Sequence, residues 1–196
     1  MNVSLARLHR LARRLLRREE GLAAVEFALV APFLLSLLFG TFQLSQYLVA
    51  NQRVEKMAFT ITDAISRDQM ITAGMASELF QATGQLMEPL SFGTNGVVVL
   101  SAIQRGDTDY PSYGKITWQC EGGGSLAKTS KFGKVGDYVP KLPGGLDLEK
   151  KDAVIIAEVF YRYVPTVSLL SFGERDIYKY ALFRPRLGQL TSAAGC

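Results

Sequence analysis

Residues 22–42 form a run of 21 residues in which the only charged side chain is Glu26. As a helix rising 1.5 Å per residue, such a run reaches about 32 Å, enough to cross the hydrocarbon core of a bilayer. The expectation is a retained membrane helix. A secretory h-region is shorter and ends in small residues at a cleavage site. Here the apolar character runs on through Phe39, Phe42 and Tyr47 with no Ala-x-Ala pattern. Glu26 also argues against a signal peptide. A carboxylate inside a span costs roughly 2.5–3.5 kcal/mol on insertion scales, so Glu26 calls for a partner. Pro32 removes one helical hydrogen bond and is expected to kink or loosen the span. Ala24, Ala28 and Ala31 make a small-residue stripe, which either admits a second helix closely or faces lipid.

The net charge of +4 sits entirely in the leader. Residues 1–21 carry Arg7, Arg10, Arg13, Arg14, Arg17 and Arg18 against Glu19 and Glu20, whereas residues 22–196 balance 16 basic with 16 acidic side chains. A basic cluster beside a span reads as a positive-inside anchor: N-terminus in the cytoplasm, the remainder outside. A nucleic-acid partner would need its basic patch on the folded domain, and none is expected. Leu5, Leu8, Leu11, Leu15 and Leu16 interleave with the arginines. That spacing favours a basic amphipathic helix on the acidic leaflet, but the n-region of a secretory signal carries the same charge. A twin-arginine signal is disfavoured, because no Ser/Thr-Arg-Arg-x-Phe-Leu pattern surrounds either arginine pair.

Gly21-Leu22-Ala-Ala-Val25-Glu26-Phe27-Ala-Leu-Val-Ala-Pro32, followed by Leu34-Leu35 and Gly40, stands between an arginine leader and a single span. This stretch resembles the N-terminal signature of TadE/TadG-like proteins, the minor pseudopilins of tight-adherence (Flp/Tad) pilus systems, over roughly residues 15–60. The resemblance implies a type IV pilin-like fold anchored in the bacterial inner membrane, with the C-terminal domain in the periplasm. It implies that a membrane-embedded prepilin peptidase removes residues 1–21, cutting between Gly21 and Leu22. A side chain at Gly21 would obstruct that active site, and Phe27 completes the processing motif. Glu26 would then pair with the new α-amine of Leu22, its own or a neighbouring subunit's. The implied partners are the peptidase, other pilin and pseudopilin subunits, and the inner-membrane assembly platform. The alternative is an uncleaved, signal-anchored periplasmic scaffold protein of an envelope complex.

Beyond the span the helix is expected to continue to about residue 68, with Val54, Ala58, Ile61 and Ile65 on one face and Gln52, Arg53, Glu55, Lys56, Asp63 and Arg67 on others. A second amphipathic helix over about 73–88 stops before Pro89. Four strands follow, at Val97–Gln104, Lys115–Cys120, Ala153–Tyr163 and Ile177–Arg184. In the third, Ile155, Ala157, Val159 and Tyr161 alternate with a face that becomes polar at Glu158 and Arg162. Helices followed by strands predict an α+β fold: a long N-terminal helix packed against a small antiparallel sheet. The expected divisions are a leader at 1–21, the span at 22–45, a helical region at 46–92 and a β-rich domain at 93–196. Asn95-Gly96, Asp107–Pro111 and a long loop over 121–147 supply the turns.

Little here suggests catalysis. The single histidine, His9, lies in the leader, so a chain without the leader has no imidazole for a triad or acid–base relay. No enzyme activity, cofactor or metal is expected. Gly122-Gly123-Gly124-Ser125 lacks the Gly-Lys-Ser/Thr that a phosphate loop requires, and is expected to be a flexible surface loop. Asp107, Asp109, Asp147, Glu149 and Asp152 show no EF-hand spacing and read as solvated turn carboxylates. Phe160, Tyr161, Tyr163, Tyr178, Tyr180 and Phe183 read as core and cross-strand packing in preference to a carbohydrate platform. Phe183-Arg184-Pro185-Arg186 resembles a short C-terminal pattern of the same family, and Arg184 and Arg186 read equally as solvated. Cys120 and Cys196 would face an oxidising compartment. They are expected to form a disulfide closing a loop of about 77 residues, contributing about 3–5 kcal/mol; the alternative is two free or separately paired thiols.

Overall fold

The computed structural model describes residues 21–68, 70–108, 113–165 and 173–187. The leader before Gly21, Asp109, Pro111 and Cys196 lie outside the described residues. The chain divides into two compact units, and the division falls inside the first helix, between Ser45 and Gln46.

That helix, α1, spans Leu22–Ile65 and runs on through Pro32. In its first part the large apolar side chains are exposed: Leu22, Val25, Phe27, Phe33 and Leu37 all stand more than half in solvent. Alanine and leucine favour the helix intrinsically, but no described residue of the unit buries these side chains. This is the one helix among the described residues long and apolar enough to cross a membrane.

From Ala50 onward, α1 is a core element. Ala50, Val54, Met57, Ala58, Ile61 and Ile65 are buried, whereas Gln52, Glu55 and Lys56 on the other faces are exposed. This is the predicted stripe, extended by Ala50 and Met57. A second helix, α2, covers Ala73–Met87; the Thr72 hydroxyl caps it by accepting from the Met75 N–H at 3.3 Å. A four-residue helix, α3 (Phe92–Asn95), leads straight into the first strand, at a position where Asn95-Gly96 had suggested a turn.

The strands are β1 (Gly96–Gln104), β2 (Gly114–Gly122), β3 (Tyr138–Val139), β4 (Ala153–Tyr163) and β5 (Arg175–Phe183). They form one antiparallel sheet in the order β3-β2-β1-β4-β5. The fold is thus α+β, with a fifth, two-residue strand that the sequence pattern is too short to reveal. One sheet face carries Val98, Leu100, Ala102, Trp118, Cys120, Ile155, Ala157, Val159, Tyr161, Ile177 and Ala181, and packs with the buried residues of α1 and α2. Each fully buried aliphatic or aromatic side chain there contributes about 1.5–3 kcal/mol of transfer free energy.

The opposite face is also covered, contrary to the one-sided burial implied by the alternation in β4. Ile103, Ile116, Val154 and Ile156 pack there with Val139, Leu142 and Leu148 from the long connection between β2 and β4, joined by the half-buried Phe132 and Leu146. That connection is a strap laid over the sheet. Its glycine-rich start is packed rather than flexible. Ser125 N–H donates to the Gly93 carbonyl at 2.8 Å and Leu126 N–H to the Gly96 carbonyl at 3.1 Å. A Cβ on Gly124 would lie 2.2 Å from the Gly96 oxygen, and Gly123 adopts φ +80°. Glycine is required there for close approach and for left-handed backbone.

Candidate functional site

The apolar run contains three polar side chains, Glu26, Ser36 and Thr41. Ser36 Oγ donates to the Phe33 carbonyl at 2.8 Å, and Thr41 Oγ1 to the Leu37 carbonyl at 2.9 Å. Both hydroxyls are therefore satisfied within the helix, as a lipid environment demands. Glu26 is exposed and has no hydrogen bond or ion pair with any described residue. It lies four residues after Leu22, where α1 begins, with Gly21 just outside. Residues four apart lie one turn apart on the same helix face. A positive charge at Leu22 would thus sit beside the carboxylate. Phe27 is exposed, and Pro32 lies inside the helix.

Of the two cysteines, Cys120 is buried on β2 in the helix-facing core, and Cys196 lies outside the described residues. Among the described residues, no group of three or more His, Cys, Asp or Glu side chains is placed to hold a metal ion.

The second unit holds a polar cluster that the sequence pattern concealed. Glu158 on β4 is fully buried, although strand alternation assigns it to a polar face. It stands opposite Val99 of β1 and Tyr180 of β5. Its carboxylate accepts from the Ser130 hydroxyl, from the Lys131 N–H at 2.9 Å and from the Tyr178 hydroxyl at 2.9 Å. Lys131 Nζ rests over the Tyr178 ring, 3.6 Å from its centroid. Lys128 Nζ donates to Asp176 at 2.6 Å, and Arg162 approaches the same carboxylate at 3.3 Å. A buried carboxylate is tolerable when its lone pairs are met in this way. The cluster fastens the strap to the sheet beside a cleft of about 920 Å³ lined by Val97, Phe160, Tyr178, Lys128 and Asp176.

These surroundings shift the neighbouring groups. Burial, then the charge and hydrogen bond of Glu158, push the Tyr178 hydroxyl far above the ordinary tyrosine range. Burial also raises Tyr161, with a contribution from Tyr163, and raises Tyr163 itself. The hydrogen bond from Lys128, helped by Arg162, holds Asp176 below the usual carboxylate range.

The aromatics largely follow the core reading. Tyr161, Tyr163 and Phe160 are buried, Phe183 packs edge-on against Phe59, and Tyr180 remains exposed. Arg184 and Arg186 pair with Asp152 and Asp63 respectively, while both side chains remain more than half exposed. Asp152 is for the same reason not a solvated turn carboxylate, and Asp107 pairs with Lys151.

A family model described as TadE-like protein matches residues 21–61. The match opens at Gly21, one residue before α1, and spans both the apolar run and the start of the core-facing helix. No curated protein and no solved structure gives a match.

Proposed function

We infer from the family model matching residues 21–61 that this chain is TadE-like. From that premise we propose a minor pseudopilin required for assembly of a tight-adherence (Flp/Tad) pilus, a substrate of prepilin peptidase and not itself an enzyme. The peptidase cuts between Gly21 and Leu22, and the absence of a Cβ at Gly21 lets the backbone approach its active site closely. The exposed amine of Leu22 lies one turn from Glu26. In an assembling fibre the amine of a neighbouring subunit takes that place, neutralising both groups in lipid and setting axial register. The leader stays in the cytoplasm, and the second unit lies in the periplasm, where Cys120 and Cys196 form a disulfide.

The observation that carries this reading is Glu26: of the three polar side chains in the apolar run, it alone has no partner among the described residues. Replacing Glu26 with leucine tests it. The Glu26→Leu variant should mature normally and insert in the membrane, yet fail to support pilus assembly in cells lacking the wild-type chain. Full assembly by Glu26→Leu would contradict the pairing. Failure to mature would assign Glu26 to processing instead. A non-reducing peptide map lacking a Cys120–Cys196 peptide would remove the disulfide.

A further inference from the structure

The second unit covers one edge of its sheet and leaves the other open. At the first edge β3 is only two residues long, and the strap extends the cover. There Ile116 N–H donates to the Asp137 carbonyl and Gly136 N–H to the Ile116 carbonyl, both at 2.9 Å. β5 forms the opposite edge and pairs with β4 at all nine of its residues, with no shift of register. Among the described residues, no backbone other than that of β4 bonds to Asp176–Phe183. One side of a strand about 30 Å long therefore keeps N–H and C=O groups unmet by protein.

Sheet edges are commonly blunted by proline, by a bulge or by a projecting lysine. β5 contains neither a proline nor a bulge. Its one lysine, Lys179, is drawn to Glu55 of α1 at 3.1 Å. Both flanks of the edge are apolar. Phe59, one turn beyond Glu55, is 52% exposed and packs edge-on with Phe183 at 5.7 Å. On the other sheet face Tyr180 is 42% exposed and stands beside Phe132 and Tyr178. Asp63, one turn past Phe59, pairs with Arg186. The charges on either side of Phe59 are thus balanced within the second unit, to which all these residues belong. An exposed aromatic ring framed by satisfied polar groups has the make-up of an interface anchor.

We propose that the β5 edge receives an extended segment of another chain, which adds a sixth strand to the sheet and sets apolar side chains against Phe59 on one face and Tyr180 on the other. Unmet ladder groups are matched by extended backbone, and apolar side chains meet no unpaired charge beside Phe59. A second copy does not fit the site. Its β3 edge is already covered, and full-length antiparallel pairing of two β5 strands sets Lys179 directly opposite its own copy, where like charges destabilise. The proposal concerns the second unit alone and does not depend on cleavage after Gly21.

Photo-crosslinking of the full chain in its native envelope tests it. The photoreactive residue p-benzoylphenylalanine replaces Tyr180, Phe59 or Val135, one at a time. Val135, 57% exposed on the strap just before β3, is the control. Successive side chains of a strand point to opposite faces. The Tyr180 and Phe59 probes should therefore capture neighbouring residues of one segment of another chain, a segment that the Val135 probe does not reach. Adding Tyr180→Lys to the Phe59 probe should abolish its adduct while the chain unfolds within a few degrees of wild type. Adducts to a second copy or to lipid would overturn the proposal, as would unrelated targets for the two probes, no adduct at either, or an adduct that survives Tyr180→Lys. The same mass spectra report the N-terminus, so chains that keep the leader yet give the paired adducts would refute the processing and leave the added strand standing.

Discussion

Glu158 provides the sharpest test of how the second unit is held. Its carboxylate is fully buried and accepts three hydrogen bonds, two of them from the strap. In Glu158→Gln the amide oxygen can keep the Lys131 N–H and Tyr178 hydroxyl. The amide nitrogen then meets the Ser130 hydroxyl, which rotates to accept. Charge assistance is lost but every group remains paired, so the cost is about 1 kcal/mol. Glu158→Leu has similar bulk and leaves three donors without an acceptor, at about 1–3 kcal/mol each where water cannot replace it. Relief of carboxylate desolvation offsets part of this. We therefore expect a net loss of about 3–5 kcal/mol, which for a chain of this size lowers Tm by about 6–20 °C. Thermal and urea unfolding of the full chain in detergent, followed by near-ultraviolet circular dichroism, reads both variants. A solvated Glu158, as strand alternation alone suggests, would leave Glu158→Leu within about 0.5 kcal/mol of wild type. That result, or a Gln variant as unstable as the Leu variant, would refute the cluster.

Three further outcomes are expected. Tyr178 titrates above an ordinary tyrosine, so from about pH 10 upward the unfolded chain gives up a proton that the folded chain keeps, and stability falls with pH by up to about 1.4 kcal/mol per unit. Unfolding measured at pH 9, 10 and 11 should show a slope shallower by one proton in Tyr178→Phe, with the raised Tyr161 and Tyr163 supplying the remainder; identical slopes would count against it. Gly124→Ala forces a methyl against the Gly96 carbonyl and should cost about 1–3 kcal/mol in the same assay; a neutral result would mean that the strap does not lie this close. Gly21→Leu should accumulate a precursor about 2.5 kDa heavier than the mature chain, and normal maturation would exclude this glycine as the processing determinant.

The helices and sheet were legible where burial imposes a period. Val54, Ala58, Ile61 and Ile65 recur at helical spacing and are all buried, and Ile155, Ala157, Val159 and Tyr161 alternate onto the helix-facing side of β4. The strap was not legible, because Phe132, Val139, Leu142 and Leu148 follow no period. An aperiodic segment holds its place by single contacts, which no local pattern reports. Glu158 was misread for a related reason. A carboxylate on the polar side of a strand looks solvated until its donors are known, and two of these come from residues 130 and 131, far away in sequence. The start of α1 and the place of Glu26 four residues into it were legible because both are local: one acid in an apolar run that follows a glycine.

Intact-mass determination on the chain purified from its native envelope bears most directly on the pseudopilin account. A mature N-terminus at Leu22, with residues 1–21 absent and about 2.5 kDa removed, is the expected result. A chain still carrying the arginine leader ahead of Gly21 would leave Glu26 without its amine and would support an uncleaved membrane anchor instead.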